Sequence, residues 1–563
     1  MKSLPPRPDI GHLKKQAKAL LAAARQADPA ALERFRAALP AARDKSDAAL
    51  AAQGLRLHDA QSCLAREHGF DGWTDLLHFV EARRAQADDP HAVRLRWLRL
   101  VYDGDLTGGN NARRPAVAAR LLAEDPALAP DGDPWLACAI GDEALLRVAT
   151  QRDAGWVHRP GGPLMLPPLV AVTHSGLLAV PGFADGLRAC AALLLAAGAS
   201  PDQSVGSRWS PASLASPDVA QPLSALYGAA GKARDPELTA LLLAAGAEPD
   251  DGESLYHALE SPACTELLLR AGARVGGTNA LYRSLDLDDP AALRLLLAHG
   301  ADPNEAPSGP PPADWGSPLL WAIRRRRSTA HVAALLDAGT KADVCTPDGV
   351  PARTLALRFG LTDVAALLVP QALDERSTAI EAALPEKTDR VEAFVAACAQ
   401  GDVDAARALQ ADDLRLADAL DAAQQRLLPE LAAAGCDAAV RAMVACGWPL
   451  EVRGGDIDGT ALNQALFRGD AALVRFLLAR GADWRTPHGF GDDARGTLSW
   501  ASLNRPVQGG DWPACAQALL DHGLPPARPD PAGSDAVLIE GRPYRFEEEV
   551  AQVLSQAPAR SAP

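Results

Sequence analysis

Leucines recur along this chain in a fixed frame. "LRLLLAHGADPN" at 293–304, "LLLAAGASPD" at 193, "LLLAAGAEPD" at 241, "LLLRAGARV" at 267 and "FLLARGADWR" at 476 each run an apolar stretch into a Gly-Ala turn, and "ALLDHGLPP" at 518 repeats it loosely. In the first copy Leu293, Leu296 and Leu297 fall on one helix face. Asp289-Pro290 upstream predicts an N-cap followed by a proline at the first helical position, and the same signal recurs at Asp235-Pro236 and Ser261-Pro262. Gly300 ends the helix, because glycine takes a left-handed conformation without a Cβ penalty, and Asp302-Pro303 turns the chain away. A second signature lies about twenty residues upstream of such glycines: "PPLVAVTHSG" at 167, "QPLSALYGAA" at 221, "SPLLWAIRRR" at 317 and "TALNQALFRG" at 460. It predicts the inner face of a shorter first helix. The unit is therefore turn, helix, tight loop, helix, Gly-Ala turn.

At these residues the chain resembles the ankyrin repeat, whose period is roughly 33 residues. The likeness is strongest in "DGVPARTLALRFGLTDVAALL" (348–368), "DGTALNQALFRGDAALVRFLLARGAD" (458–483) and "LRLLLAHGADPN", and it extends over about 91–527. The chain departs from the family at the Thr-Pro-Leu-His start, which is nowhere intact: Ser317-Pro318-Leu319-Leu320 and Thr460-Ala461-Leu462-Asn463 keep parts of it. The resemblance implies an all-α solenoid of stacked helix pairs with short hairpin loops. In such a stack each pair buries its apolar face only against its neighbours.

Residues 1–85 read as an N-terminal helical segment, with Leu13, Ala17, Leu20, Leu21 and Ala24 on one face and a helix, a turn at Gly69 and a helix over 58–82. This segment resembles the helical lead that precedes ankyrin arrays in some bacterial proteins. Repeats are expected over 91–370 and 391–527, joined by a polar linker at 371–390. Residues 528–563 should form a cap with a short hairpin, a closing helix and a tail.

Charge narrows the function. The 563 residues carry a net charge of -15 with 48% hydrophobic content, which fits a folded protein and argues against nucleic acid or an anionic membrane as the main partner. The first 56 residues are the exception, with 11 Lys and Arg against 5 Asp and Glu, and intramolecular pairing with the acidic remainder is expected. No signal-like or membrane-spanning apolar run is found, so a cytoplasmic protein is expected. The nine cysteines are scattered without a C-x-x-C pair and read as reduced core thiols.

No phosphate-binding glycine loop, G-x-S-x-G or H-E-x-x-H occurs, so no catalytic residue, cofactor or metal site is assigned. His299, His331 and Cys345 share no ligand spacing. Arg324–Arg327 reads as a solvated helix end. The would-be recognition helix "GWTDLLHFVEA" (72–82) offers Asp75 and Glu81 and no arginine before Arg83, which argues against DNA recognition.

The inserts are the candidates for recognition. "SVGSRWSPASLASPDVA" (204–220), "NEAPSGPPPADWG" (304–316), "WRTPHGFGDDARG" (484–496) and "RPVQGGDWP" (505–513) each carry one tryptophan. Arg208, Trp209, Trp315, Trp484, Arg485 and Trp512 are the candidate partner-binding residues, since Trp and Arg dominate interface hot spots. The bland alternative is that each Trp pins its own loop. The resemblance implies a non-catalytic scaffold gripping a protein partner on its concave loop and first-helix face. The alternative is an enzyme or small-ligand sensor with its site in an insert or in the N-terminal segment.

Overall fold

The computed structural model describes residues 2, 4–5, 8–52, 55–84, 89–109, 111–129, 132–209, 213–307, 316–368, 386–413, 415–530 and 536–556. They form two compact units, residues 1–301 and 302–563, hereafter units 1 and 2. Helices dominate both, so the expected all-α stack of helix pairs is what the chain builds.

Unit 1 opens with helices Ile10–Arg25, Pro29–Ala38, Asp47–Ala52, Leu57–Glu67 and Trp73–Arg84. The face read from the sequence is the buried one: Leu13, Ala17, Leu20, Leu21 and Ala24 all lie inside. The basic lead spends its charge locally. Arg34 makes a two-point contact with Glu67 at 2.6 and 2.8 Å, Lys2 joins the same carboxylate at 2.7 Å, and Arg36 pairs with Glu33 and Asp47. A groove of about 890 Å³ beside these helices is lined by Lys2, Gln16, Asp28, Arg34 and His68, so Glu67 already occupies both of the cations that face it.

The repeats then stack as two ladders. First helices Pro134–Ile140, Pro168–Thr173, Ala225–Tyr227 with the π-turn Gly228–Ala233, Ser254–Ala258 and Ala280–Ser284 pack in succession. Second helices Glu143–Arg152, Ala184–Ala196, Pro236–Ala244, Pro262–Arg270 and Ala291–Ala298 do the same. Their ends follow the sequence signals. Asp235 caps its helix by accepting from the Leu238 N–H, while the helix after Asp289 starts one residue late, with Pro290 as N-cap and Asp289 accepting from Ala291 N–H. Gly198, Gly246, Gly272, Gly300, Gly339, Gly447, Gly481 and Gly523 all hold φ between +86 and +100°. Only Gly447 among them has a heavy atom near an added Cβ, at 3.5 Å, so the backbone angle alone selects glycine there, at about 1–2 kcal/mol against any other L residue.

In unit 2 the first helices Pro318–Arg324, Ala352–Arg358 and Glu386–Ala399 form one run, and Ala422–Ala433, Ala461–Arg468 and Ala494–Asn504 form another. Arg358 holds Glu392 with Nε at 2.9 Å from Oε2, and Gln424 donates to the same carboxylate at 2.9 Å, so one acid ties three of these helices together. The linker expected at 371–390 thus lies inside unit 2. Its residues 371–385 are outside the described residues, and the helix Glu386–Ala399 begins within its last five.

The Arg324–Arg327 run is largely committed: Arg325 pairs with Asp456 at 3.3 Å, Arg326 donates to the Phe359 carbonyl and Arg327 to that of Arg325. A three-stranded antiparallel sheet (Arg528–Pro529, Val537–Ile539, Arg542–Tyr544) and the helix Glu548–Gln556 close the unit. Among the described residues no helix is long and apolar enough to cross a membrane.

Candidate partner-binding surface

The insert at 204–220 is a hairpin. β1 (Ser204–Ser207) pairs antiparallel with β2 (Asp218–Ser224), and the register jumps from Gly206↔Pro222 to Ser207↔Asp218, which leaves 219–221 outside the ladder. A bulge of this kind re-aims side chains, and here Val219 is left almost wholly in water.

Arg208 follows β1 and turns inward. It is only 3% exposed. Its backbone N–H donates to the Asp105 carbonyl at 2.7 Å, and its guanidinium donates to the carbonyls of Leu106 (3.0 Å), Leu164 (2.5 Å) and Met165 (3.3 Å). Among the described residues no carboxylate pairs with it, and burial pulls the guanidinium below its ordinary pKa. The buried cation is a clamp, holding the hairpin to the short helix Gly104–Thr107 and to the turn at 164–165 through carbonyl dipoles.

The clamp leaves the next residue outside. Trp209 is 60% exposed, and Met165, whose carbonyl Arg208 holds, is exposed to the same degree. Leu214 of the same insert rests against Gly108 with its side chain partly exposed. Met165, Trp209, Leu214 and Val219 are thus the large apolar side chains that unit 1 leaves in water around this hairpin.

The other candidates separate. Trp315 lies outside the described residues. Trp484 is 3% exposed, sandwiched under Arg485 with the guanidinium 3.9 Å from its ring centre. Trp512 is 4% exposed, its indole N–H donating to the Leu466 carbonyl at 3.1 Å. Arg208, Trp484 and Trp512 therefore have no surface to offer a partner, although the Arg208 Nε stays buried without an acceptor among the described residues. Arg485 stays exposed.

The sequence reading missed Met165 and Val219 in unit 1, and Phe490, Trp500 and Leu503 in unit 2, all exposed. For Trp500 and Leu503 a signal existed. They stand three apart in "TLSWASLN", on the face opposite the buried Leu498 and Ala501.

The first-helix side of unit 1 carries charges that are already matched. Lys232 Nζ sits 2.8 Å from Asp105 and 3.6 Å from Asp103, which also faces Arg113 at 3.8 Å, while Arg234 and Arg283 share Glu260 at 2.7 and 3.1 Å. Burial opposes the Lys232 charge, yet Asp105, Tyr227 and Asp103 together outweigh it and its pKa rises. Burial pushes the Tyr227 phenol up to about 12. Lys232 and Tyr227 are thus held away from proton exchange near neutrality.

Beneath them His174 is buried and its Nε2 donates to the Ser224 carbonyl at 2.9 Å, with the Tyr227 ring set edge-on at 5.6 Å. Burial holds it neutral, with a pKa of about 4, against the pull of Asp105; Lys232 and Arg113 push the same way as burial. Its folded pKa lies below the unfolded value, so between about pH 6.5 and 4 the unfolded chain binds the extra proton and stability falls as pH falls. The expected loss is about 3 kcal/mol across that window. Urea unfolding of the wild type and of His174→Gln at a series of pH values checks it: the wild type should lose stability faster, and parallel curves would remove His174 as the cause.

Comparison with known proteins adds the following. No protein-family model matches the chain, and no curated protein matches it. Among solved structures, the ankyrin repeat domain of Bcl-3, described as a unique member of the IkappaB family, is similar over 49% of this chain and 96% of its own, at 14% identity and a TM-score of 0.20.

Proposed function

We propose that the chain is a non-catalytic, ankyrin-like protein-interaction scaffold, and that unit 1 binds a partner protein through the hairpin insert around Trp209. The observation that carries this reading is the Arg208 clamp. A buried cation fixes the backbone on one side of an exposed tryptophan, so the aromatic is presented on an ordered base and little conformational entropy is lost on binding. The docking face is the insert rather than the first-helix face, whose cations are matched within the unit.

Affinity capture from lysate with the full chain and with Trp209→Ala, followed by titration of the retained partner, tests the reading. A loss of about tenfold or more in affinity is expected for the variant, whose folding should be unchanged because the side chain lies in water. Equal retention by both would remove the insert as the docking face. Retention of nothing specific by either would count against the scaffold itself.

A further inference from the structure

Three first helices of unit 2 meet around a cavity of about 210 Å³, and each puts an arginine into its wall. Arg324 and Arg358 end the helices Pro318–Arg324 and Ala352–Arg358, and Arg426 lies in Ala422–Ala433. Val350, Leu355, Phe359 and Leu427 supply the apolar part of the lining. Drug-sized ligands occupy pockets of about 300–1,000 Å³, so this one has room for a smaller molecule.

The arginines leave donors open. Arg324 is the member of the Arg324–Arg327 run that forms no ion pair among the described residues, and its Nε is buried there without an acceptor. Arg358 is 6% exposed and spends Nε and Nη2 on Glu392, while its Nη1 has no acceptor among the described residues. Arg426 is exposed and likewise forms no ion pair among them. Glu451 and Asp458, which line a neighbouring shallow basin with Arg426, are held by Thr486 and Arg453.

Two acids also line the cavity, so its net charge is not what points to a ligand. The imbalance lies in the hydrogen bonds. Asp348 accepts from the Thr346 hydroxyl, which holds its carboxyl below the ordinary range with help from Arg358 and Arg324, and Glu430 has a partner of its own. Asp348 thus has its donor while the guanidiniums lack acceptors, and a buried donor without an acceptor is costly. A carboxylate supplies what is missing, since its two oxygens accept from guanidinium forks. A phosphate dianion fits less well, because Asp348 and Glu430 repel its second charge.

We propose that this cavity is a binding site for a small organic acid with a single carboxylate: the carboxylate takes the open donors of Arg324, Arg358 and Arg426, and a short apolar body packs against Leu355, Phe359 and Leu427. Such a ligand ties three first helices together, so its binding stabilises unit 2. The site is independent of the Trp209 hairpin and belongs to the other unit.

The test is a saturation-transfer NMR screen of the full chain against benzoate, phenylacetate, 3-methylbutanoate and 4-methylpentanoate, each beside its primary amide, and against inorganic phosphate. Acids that bind are titrated by calorimetry on the wild type, Arg324→Gln, Arg426→Gln and Arg353→Gln, the last an exposed arginine of the helix Ala352–Arg358 outside the cavity lining. The proposal expects at least one acid to saturate one site per chain and its amide to bind about tenfold more weakly or not at all. Arg324→Gln and Arg426→Gln should each weaken the acid about tenfold, and Arg353→Gln should leave it unchanged. Arg324→Gln breaks no ion pair, so its urea midpoint without ligand should not fall; the acid should raise the thermal midpoint of the wild type and not that of this variant.

No binding by any of the four acids would overturn the proposal, as would an amide that binds as well as its acid, which would leave an apolar hole only. Affinity unchanged in both Arg324→Gln and Arg426→Gln would place the acid elsewhere, and phosphate binding tighter than every acid would refute the single-carboxylate assignment.

Discussion

Arg208→Ala should destabilise unit 1 by about 3–5 kcal/mol, although the residue lies in an insert and pairs with no carboxylate among the described residues. The guanidinium donates to three carbonyls, those of Leu106, Leu164 and Met165, and removing it leaves these acceptors without their donor. Hydrogen bonds to a charged donor are worth about 1.5–3 kcal/mol each, and an unsatisfied buried acceptor adds its own desolvation cost. Lysine cannot rescue it fully, because one ammonium cannot span acceptors on a short helix and a separate turn as the planar fork of an arginine does. The readout is urea unfolding followed by hydrogen exchange over 204–224. Trp209→Ala, one residue on, should shift stability by less than about 0.5 kcal/mol, since its side chain is in water. If the two variants behaved alike in stability, the clamp would not be what holds the hairpin, and the presentation of Trp209 would lose its physical basis.

Adjacent residues with opposite fates show what a sequence can and cannot disclose here. Helix ends were legible, because a cap and a left-handed glycine act within a few residues of themselves: Asp235 caps the helix it precedes, and Gly300 takes φ +86° at the end of its leucine run. The stacked pairs were legible for the same reason, since the apolar stripe of each helix is a local period. The inward turn of Arg208 was not. Its acceptors come from residues 43 to 102 positions away, and no local pattern tells a buried arginine from an exposed one.

Tryptophan was ambiguous in a different way, because an indole is stable buried with its N–H satisfied or half-wet at an interface. Trp512 took the first course by finding the Leu466 carbonyl, Trp484 found Arg485, and Trp209 found neither. Each of these inserts offers one tryptophan among turn-forming residues, and the tertiary partner decides its fate.

The ion pairs of unit 1 explain why a docking surface would move outward from the first helices to an insert. A charge already paired at 2.7–2.8 Å, as in Lys232–Asp105 and Arg234–Glu260, must give up its partner before it can serve another chain. That exchange gains little, since the new pair merely replaces the old one. Exposed apolar side chains face no such exchange: Trp209 and Val219 are hydrated until covered, and covering them is favourable at about 25 cal/mol per Å².

Arg495→Ala should cost unit 2 about 3–5 kcal/mol and loosen its closing sheet. Arg495 and Asp493 are each 8% exposed at the side chain and meet at two points, with Nη2 to Oδ2 at 2.7 Å and Nε to Oδ1 at 3.0 Å. The remaining nitrogen reaches Glu540 at 2.8 Å, in the turn between strands Val537–Ile539 and Arg542–Tyr544, so a single cation joins the last first helix to the cap. Alanine would leave Asp493 buried with only backbone donors, and an uncompensated buried carboxylate is the costly half of a broken pair.

That reasoning separates the pair's net worth from the cost of breaking it. In Asp493→Asn with Arg495→Met the buried charge is gone, so the double variant should recover at least about 2 kcal/mol relative to Arg495→Ala. Denaturant unfolding of the singles and the double forms the cycle, and hydrogen exchange over 537–544 reports the sheet. A double variant as unstable as the single would mean that the arginine acts through packing against Trp484 and Tyr544 and not through its charge.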